Sequence, residues 1–177
     1  ILCTLGGALF MNAGAGGAYI DEIVESVLIY RKGETKLVPR KACGYSYKHS
    51  VFMEDGSVIL GAALRLTDAT DEEIEKREGF FKARRAHLPK GKSMGCVFKN
   101  PEGYSAGDLI ERSGLKGLRI GGAVVSTEHA NFIINDQNAS AKDITALITL
   151  IKNAVSAQYG IELEEEIRYI PFKENKQ

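Results

Sequence analysis

The chain has 177 residues, 44% hydrophobic and 26% charged, which is typical of one or two globular domains and excludes bulk disorder. Lys plus Arg and Asp plus Glu both number 23, so there is no net field to hold a polyanion, and we expect no nucleic-acid partner. No run of about 18 apolar residues occurs, so we expect no membrane-spanning segment.

The three cysteines, Cys3, Cys43 and Cys96, are spaced too irregularly for a disulfide framework or a zinc site. We therefore expect no bound metal and a reducing, cytoplasmic location. The sequence begins at Ile1, without a Met or a signal-peptide layout, and runs directly into a glycine-rich segment. We accordingly expect the C-terminal part of a longer protein.

The first third of the chain predicts a loop followed by strands. Residues 4–18 contain many glycines and predict a loop with a short buried turn at residues 8–11. Alternating apolar residues between turn signals predict the strands that follow. These strands lie within 22–30, 36–38 and 57–66, and a tight turn at 32–34 joins the first two.

Helix signals dominate the rest of the chain. Thr70 and Glu73 form a capping-box pattern that predicts a helix to about Arg85. Ser105 predicts the cap of a short helix that ends at Gly114.

The most regular helix pattern begins at Ser140 and Asp143 and ends at Gly160. Its apolar residues fall on one face at helical spacing: Ile144, Leu147, Ile148, Ile151 and Val155. Residues 117–123 predict a glycine loop. Short strands are predicted at 96–98, 131–135 and 164–170. Together these elements predict an α+β protein in two unequal pieces, residues 1–68 and 69–177.

Four groups of residues could carry chemistry. The glycine-rich opening could bring backbone N–H groups close to a phosphate or a flat ring, or could simply form turns. Residues 45–52 concentrate two phenols, an amine, an imidazole and two hydroxyls, or form a solvated loop. Cys96 could be reactive, or a small buried apolar residue. The acidic run at 162–166 could assist catalysis, or face solvent.

Taken together, these segments resemble the UDP-N-acetylenolpyruvoylglucosamine reductase family of peptidoglycan synthesis. Residues 4–15 (TLGGALFMNAGA) resemble the family's flavin-facing glycine loop. Residues 47–52 (YKHSVF) resemble its Tyr-Arg-x-Ser-x-Phe segment, and residues 95–101 (GCVFKNP) its Gly-Ser-x-Phe-Lys-Asn-Pro segment. The run 105–135 and the ending GIELEEEIRYI also fit, so the resemblance covers essentially the whole chain.

The resemblance implies an oxidoreductase in which NADPH reduces FAD and the flavin reduces the enolpyruvyl ether of a UDP-sugar. It implies the remainder of a flavin-binding α+β domain over 1–68, followed by a small α/β substrate-binding domain over 69–177. By motif position the catalytic residues are Lys48, Cys96 and Glu166. The cofactor-binding residues would be Gly6, Gly7, Asn12, Ala13 and Gly14. The substrate-binding residues would be Tyr47, Lys99, Asn100 and His129.

Two residues depart from the family pattern. Cys96 stands where the family usually has Ser, and a thiol with an ordinary pKa of about 8.5 can still donate a proton at pH 7. Lys48 stands where the family usually has Arg, and an ammonium lacks the bidentate fork that suits a carboxylate. The family's N-terminal FAD-binding portion is also missing, so we expect this chain alone to bind flavin poorly.

Two other functions remain open at this point. One is a non-catalytic module that binds a nucleotide sugar. The other is a thiol hydrolase that pairs Cys96 with one of the histidines, although the spacing does not select among His49, His87 and His129.

Overall fold

The computed structural model describes residues 4–170. The chain forms two compact units that divide between Asp71 and Glu72. Both units contain helices and strands, and the predicted α+β class is confirmed.

The first unit is a small helix packed on one face of a three-stranded sheet. The sheet has the order β4-β3-β5, and both pairings are antiparallel. The helix and strands of this unit, in chain order, are α1 (Leu5–Met11), β1 (Gly14–Ala15), β2 (Ala18–Tyr19), β3 (Val24–Arg31), β4 (Glu34–Pro39) and β5 (Val58–Leu64). Single 3-10 turns lie at Ile20–Glu22, Arg40–Ala42 and Val51–Met53.

The predicted hairpin is confirmed, with β3 and β4 joined at Lys32 and Gly33. Both residues have positive φ angles, 50° and 85°, which match the twist of a two-residue hairpin. The strand predicted at 57–66 is also confirmed as β5.

The loop predicted over residues 4–18 is wrong, because its first half is helix α1. The Thr4 hydroxyl caps this helix by accepting the Gly7 N–H at 3.1 Å. Leu9 is fully buried in the core beneath the sheet. Tertiary burial therefore overrides the low helix propensity of Gly6 and Gly7.

The second unit packs helices against a four-stranded antiparallel sheet of order β6-β9-β8-β7. Its apolar core contains Val97, Phe98, Ile110 and the buried face of the last helix. The helices and strands of this unit are α2 (Asp71–Ala86), β6 (Lys92–Cys96), α3 (Ala106–Arg112), β7 (Arg119–Ile120), β8 (Ala123–Val125), β9 (Phe132–Asn135) and α4 (Ala141–Tyr159).

Local capping fixes the ends of α3 and α4 as predicted. Ser105 accepts the Asp108 N–H, and α3 is followed by Gly114 with a φ of 71°. Ser140 and Asp143 cap each other reciprocally at the start of α4, and Gly160 ends it in the left-handed conformation.

Three predictions in the second unit need correction. Residues 117–123 form most of the β7–β8 hairpin rather than a glycine loop. The strand predicted at 96–98 is instead the end of β6, which stops at Cys96. The predicted strand 164–170 is reduced to one antiparallel bridge between Phe98 and Glu165, because only that point of the segment reaches a partner in strand geometry.

Helix α2 was predicted almost to the residue, but it contributes to neither core. All of its 16 residues are exposed, including Phe80 and Phe81. Among the described helices, none combines the length and apolar character needed to cross a bilayer.

Gly122 is the position where the fold leaves no space for a side chain. Its carbonyl accepts the N–H groups of Asp136 and Gln137 at 3.0 and 3.1 Å. A Cβ atom there would overlap the backbone of Gln137 and Ala139. We expect Gly122→Ala to lower the free energy of unfolding by about 2 kcal/mol, measured by urea denaturation.

The matched control is Gly79→Ala in the exposed helix α2. A Cβ atom at Gly79 meets no atom within 4 Å. This variant should raise the free energy of unfolding by roughly 0.5–1 kcal/mol. Equal effects of the two variants would contradict the steric explanation.

Candidate functional site

The predicted site residues are divided between the two units. Tyr47, Lys48 and the five residues predicted to bind flavin belong to the first unit. Cys96, Lys99, Asn100, His129 and Glu166 belong to the second unit. A meeting of Lys48 with Cys96 and Glu166 stays a prediction, and each group is described within its own unit.

Tyr47 and Lys48 form the tip of a tight turn. Ser46 and His49 flank the turn and exchange two backbone hydrogen bonds of 3.2 Å. Lys48 has a φ of 54°, a left-handed conformation that costs a non-glycine residue about 1–2 kcal/mol. Such strain persists only where surrounding contacts impose it, and it is common at functional positions.

Two buried polar side chains impose this turn. The Asn12 amide nitrogen donates to the Ser46 carbonyl at 3.0 Å, and its amide oxygen accepts the Asp21 N–H at 3.2 Å. The Ser50 hydroxyl donates to the Phe10 carbonyl at 2.6 Å. Asn12 is 4% exposed and Ser50 is fully buried, so neither group has water as an alternative partner.

The predicted flavin-binding residues therefore differ in what they offer a ligand. Asn12 uses both ends of its amide inside the unit, and the backbone N–H of Ala13 donates to Ala8 at 2.9 Å. The Tyr19 ring covers Gly14 so closely that a Cβ atom would overlap it. Gly7 donates to Thr4, and Gly6 has open space where a side chain would begin.

Cys96 ends strand β6 and pairs with Phe132 of β9. It is partly exposed, whereas Val97 and Phe98, which follow it, are each 1% exposed. A register shift separates Ser93 from Cys96, so the thiol lies just beyond an irregular point in the strand. β-Bulges of this kind change the direction of a side chain relative to a regular strand.

Asn131 clamps the backbone that follows Cys96. Its side-chain oxygen accepts the Phe98 N–H at 2.9 Å, and its amide nitrogen donates to the Phe98 carbonyl at 2.8 Å. The Asn131 carbonyl also accepts the Val97 N–H at 2.9 Å. At 3% exposure, Asn131 replaces the strand partner that β6 lacks beyond Cys96.

The acidic segment runs along the opposite side of the same stretch. Glu166 donates its N–H to Val97 and Glu164 accepts from Lys99, both at 2.8 Å. The backbone of Glu166 is therefore bonded to the residue that follows Cys96. This pairing brings the predicted acid and the predicted thiol into neighbouring segments.

Glu165 anchors that acidic segment to helix α4. Its carboxylate accepts from Lys152 at 3.0 Å and from the Tyr169 hydroxyl at 2.6 Å. Partial burial alone would raise the pKa of Glu165, but the hydrogen bonds from Tyr169 and Lys152 and the Lys152 charge lower it overall. Partial burial, together with the hydrogen bond to Glu165 and the charge of that carboxylate, raises the pKa of Tyr169 to about 12.

Lys99 and Asn100 already have partners in the structure. Lys99 forms an ion pair with Glu164, whose side chain is 72% exposed. The Asn100 side-chain oxygen accepts the Ala106 N–H at 3.0 Å, at the start of α3. A substrate at these residues would bind to side chains already positioned by neighbouring elements.

His129 is held as a neutral ring. Burial lowers its pKa, helped by the Lys116 charge and opposed by a backbone hydrogen bond and Glu111. Its Nδ1 accepts the Asn131 N–H at 3.2 Å, which leaves the proton on Nε2 in the neutral form. In that tautomer Nε2 is a donor, so His129 gives no support to a thiol–histidine base pair.

The sequence analysis included Ser50 in the polar group 45–52 without a role of its own, and it missed Ser126 and Asn131. Ser126 accepts the N–H groups of Glu128 and His129 at 3.1 and 3.3 Å and so shapes the turn that carries His129. A polar residue within the apolar run Ala130–Ile133 was the available signal for Asn131. Ser50 and Ser126 lie in segments whose burial no local pattern reveals.

Other surface features add no further chemistry. Among residues 4–170, no group of three His, Cys, Asp or Glu side chains could hold a metal ion. A shallow depression on α4 contains none of the predicted site residues. It is lined by Ala146, Thr149, Leu150, Asn153 and Ala154.

Comparison with solved structures identifies the class of protein that this fold defines. The crystal structure of UDP-N-acetylenolpyruvylglucosamine reductase from Thermus caldophilus matches 94% of this chain with a TM-score of 0.84 and 37% identity. The match covers 60% of the Thermus chain. The α+β fold is thus that of part of a UDP-N-acetylenolpyruvylglucosamine reductase.

Sequence relatives give the particular family. Residues 86–170 match the C-terminal domain of UDP-N-acetylenolpyruvoylglucosamine reductase. The reductase of Protochlamydia amoebophila is 42% identical over 98% of this chain, and that of Geobacter metallireducens is 44% identical over 94%. Over nearly its whole length the chain is therefore similar to part of the UDP-N-acetylenolpyruvoylglucosamine reductases, including their C-terminal domain. It spans 58% and 56% of the length of these two relatives.

Removal of the Asn131 clamp tests how the thiol segment is held. Asn131→Ala leaves the Phe98 N–H and carbonyl buried without their partner, so the free energy of unfolding should fall by about 3 kcal/mol. Urea denaturation measures the loss. Asn153→Ala on the exposed side of α4 is the control and should change stability by less than about 0.5 kcal/mol.

The lowered pKa of His129 predicts a pH-dependent stability. The unfolded chain binds a proton at His129 more readily than the folded chain, so the free energy of unfolding falls as the pH drops below about 6.5. His129→Gln should remove part of that fall. Urea denaturation at several pH values, with NMR titration of the ring, measures both. A ring that titrates above its ordinary pKa would contradict the prediction.

Proposed function

We propose that the chain provides the substrate-binding and proton-donating part of a FAD-dependent, NADPH-oxidising reductase. Its substrate would be UDP-N-acetylglucosamine enolpyruvate and its product UDP-N-acetylmuramate, a peptidoglycan precursor. On this proposal residues 69–177 bind the substrate, and residues 1–68 complete a flavin-binding domain. The enzyme would act in the cytoplasm.

The observation that carries the proposal is the pairing of two segments in the second unit. Cys96, Lys99 and Asn100 lie on one segment, and Glu166 lies on the segment hydrogen-bonded beside it. These two adjacent segments therefore carry a thiol, an amine, an amide and a carboxyl group. Saturating an enolpyruvyl ether requires these groups: a proton donor, an acid that polarises the substrate, and polar groups that orient a nucleotide sugar.

The roles of the chain's residues follow from the charge that develops in the reaction. A bound FAD that NADPH had reduced would supply the hydride needed at C3 of the enolpyruvyl group. Carbanion character then develops at C2. The Cys96 thiol transfers its proton to C2, and the resulting thiolate regains a proton from solvent. Lys48 offsets charge on the substrate carboxylate, and Glu166 assists in polarising the substrate.

Remaining binding roles fall to residues with fixed positions. Lys99, Asn100 and Tyr47 would contact the UDP-sugar, and the Nε2–H of His129 would donate a hydrogen bond to it. Lys99 already pairs with the exposed carboxylate of Glu164, so an anionic substrate would replace Glu164 as its partner with little reorganisation.

The glycine-rich segment fits a flavin at only some of its positions. Gly6 is open to close approach, whereas Asn12, Ala13 and Gly14 are engaged within the first unit. We infer that Gly6 and Gly7 would lie against the cofactor and that the other three residues hold the segment in shape. Purified chain that carries stoichiometric flavin absorbance would contradict the expectation that it binds FAD poorly alone.

The test separates the two half-reactions. The chain is joined to the remaining portion of the Protochlamydia amoebophila reductase, and flavin absorbance is followed in stopped flow. Cys96→Ala should leave bleaching by NADPH unchanged and slow reoxidation by substrate by about 100-fold or more. Cys96→Ser should retain most of the reoxidation rate, since a hydroxyl can also deliver the proton.

The control is Cys43→Ala, which removes the buried thiol of the first unit. Both half-reactions should survive this change. If Cys96→Ala and Cys43→Ala behave alike, Cys96 is not the proton donor. Binding of the UDP-sugar in calorimetry without any turnover would favour a non-catalytic binding module instead.

A further inference from the structure

The outer face of the β4-β3-β5 sheet is mostly apolar, and Glu25, at a bulge near the start of β3, is the charged residue at its margin. Val27 and Ile29 of β3 are buried against the core, so Leu28 and Tyr30 project from the opposite face. Register then identifies their neighbours, because directly paired residues lie on the same face. The outer face consists of Glu25, Ser26, Leu28, Tyr30, Thr35, Leu37, Pro39, Val58, Leu60, Gly61 and Ala63.

The apolar side chains of this outer face are exposed to solvent. Leu37 is 65% exposed, Val58 57% and Leu60 54%. Leu28 lies directly opposite Leu37, and Tyr30 directly opposite Val58, so the exposed side chains are contiguous. A solvated antiparallel sheet normally alternates apolar residues inward with polar residues outward. An uncovered apolar face of this kind marks an interaction surface.

The relatives indicate what covers it. The matches include 94–98% of this chain but only 56–60% of each relative, so every one of those reductases has further polypeptide that must pack somewhere. We propose that the outer sheet face is the docking surface for the polypeptide corresponding to the unmatched two fifths of these relatives. The identity of this occupant rests on the proposed function, whereas the interface itself rests on the contiguous exposed apolar side chains.

A binding experiment tests the surface without any catalysis. The 177-residue chain is co-expressed with an affinity-tagged polypeptide that carries the unmatched portion of the Protochlamydia amoebophila reductase. We expect the two to co-purify in equal amounts. Leu37→Glu and Val58→Lys should each reduce the recovered chain about tenfold or more, because each would bury an unpaired charge.

Leu66→Glu is the matched control. Leu66 is 73% exposed but follows β5 and lies outside the sheet, so this variant should co-purify like the unmodified chain. Circular dichroism of the three variants should show an unchanged fold, since the replaced side chains are exposed.

Three results would overturn the proposal. The unmodified chain could fail to co-purify, the face variants could bind as well as Leu66→Glu, or the chain alone could form a dimer that the face variants dissolve in sedimentation velocity. Assembly that the face variants abolish, in a complex without reductase activity, would support the docking surface and refute the proposed function.

Discussion

Buried side-chain amides and hydroxyls hold the irregular backbone that carries the candidate site residues. Such backbone lacks the regular partners of a helix or sheet, yet its N–H and carbonyl groups still need hydrogen bonds when they are buried. Four buried polar side chains occur in residues 4–170: Asn12, Ser50, Ser126 and Asn131. Asn12 and Ser50 hold the segment of Tyr47 and Lys48. Asn131 holds the segment of Cys96, and Ser126 shapes the turn of His129.

A sequence motif contains both residues that hold the backbone in place and residues that could contact a ligand, and the structure helps to distinguish them. Asn12 was predicted to bind a cofactor, yet both ends of its amide are used within the first unit. Lys48, in contrast, is kept in an unfavourable left-handed conformation at the tip of a turn. Asn12 therefore holds the turn in place. Its contact with a cofactor, and a direct role for Lys48 at a position of maintained backbone strain, stay predictions.

Local sequence signals were sufficient to predict an element wherever neighbouring residues fix its end. Ser105, Ser140 and Gly160 fixed the ends of α3 and α4 because caps act over three or four residues. The Lys32–Gly33 turn likewise defined the first hairpin. The family resemblance then supplied the candidate residues, which no spacing alone would have selected from the cysteines, lysines and acids of the chain.

Elements that depend on distant partners could not be predicted in this way. Helix α1 contains Gly6 and Gly7, and the burial of Leu9 that stabilises it appears only when the sheet has formed. The β7–β8 hairpin turns at Gly121 and Gly122. A side chain at Gly121 would meet Asp143, and one at Gly122 would meet the backbone of Gln137 and Ala139. Glu165 pairs with Phe98 although two helices and three strands separate them in the sequence, and the rest of its segment forms no strand.

The exposure of α2 has an evolutionary consequence. The core residues of the first unit end by Leu64 and those of the second begin at Val97, so this helix supports neither interior. Insertions, deletions or grafted sequences between residues 71 and 86 would leave both interiors intact. The connecting stretch is therefore the place where members of the lineage can diverge in length most freely, and where a tag or reporter domain could be introduced with least disturbance.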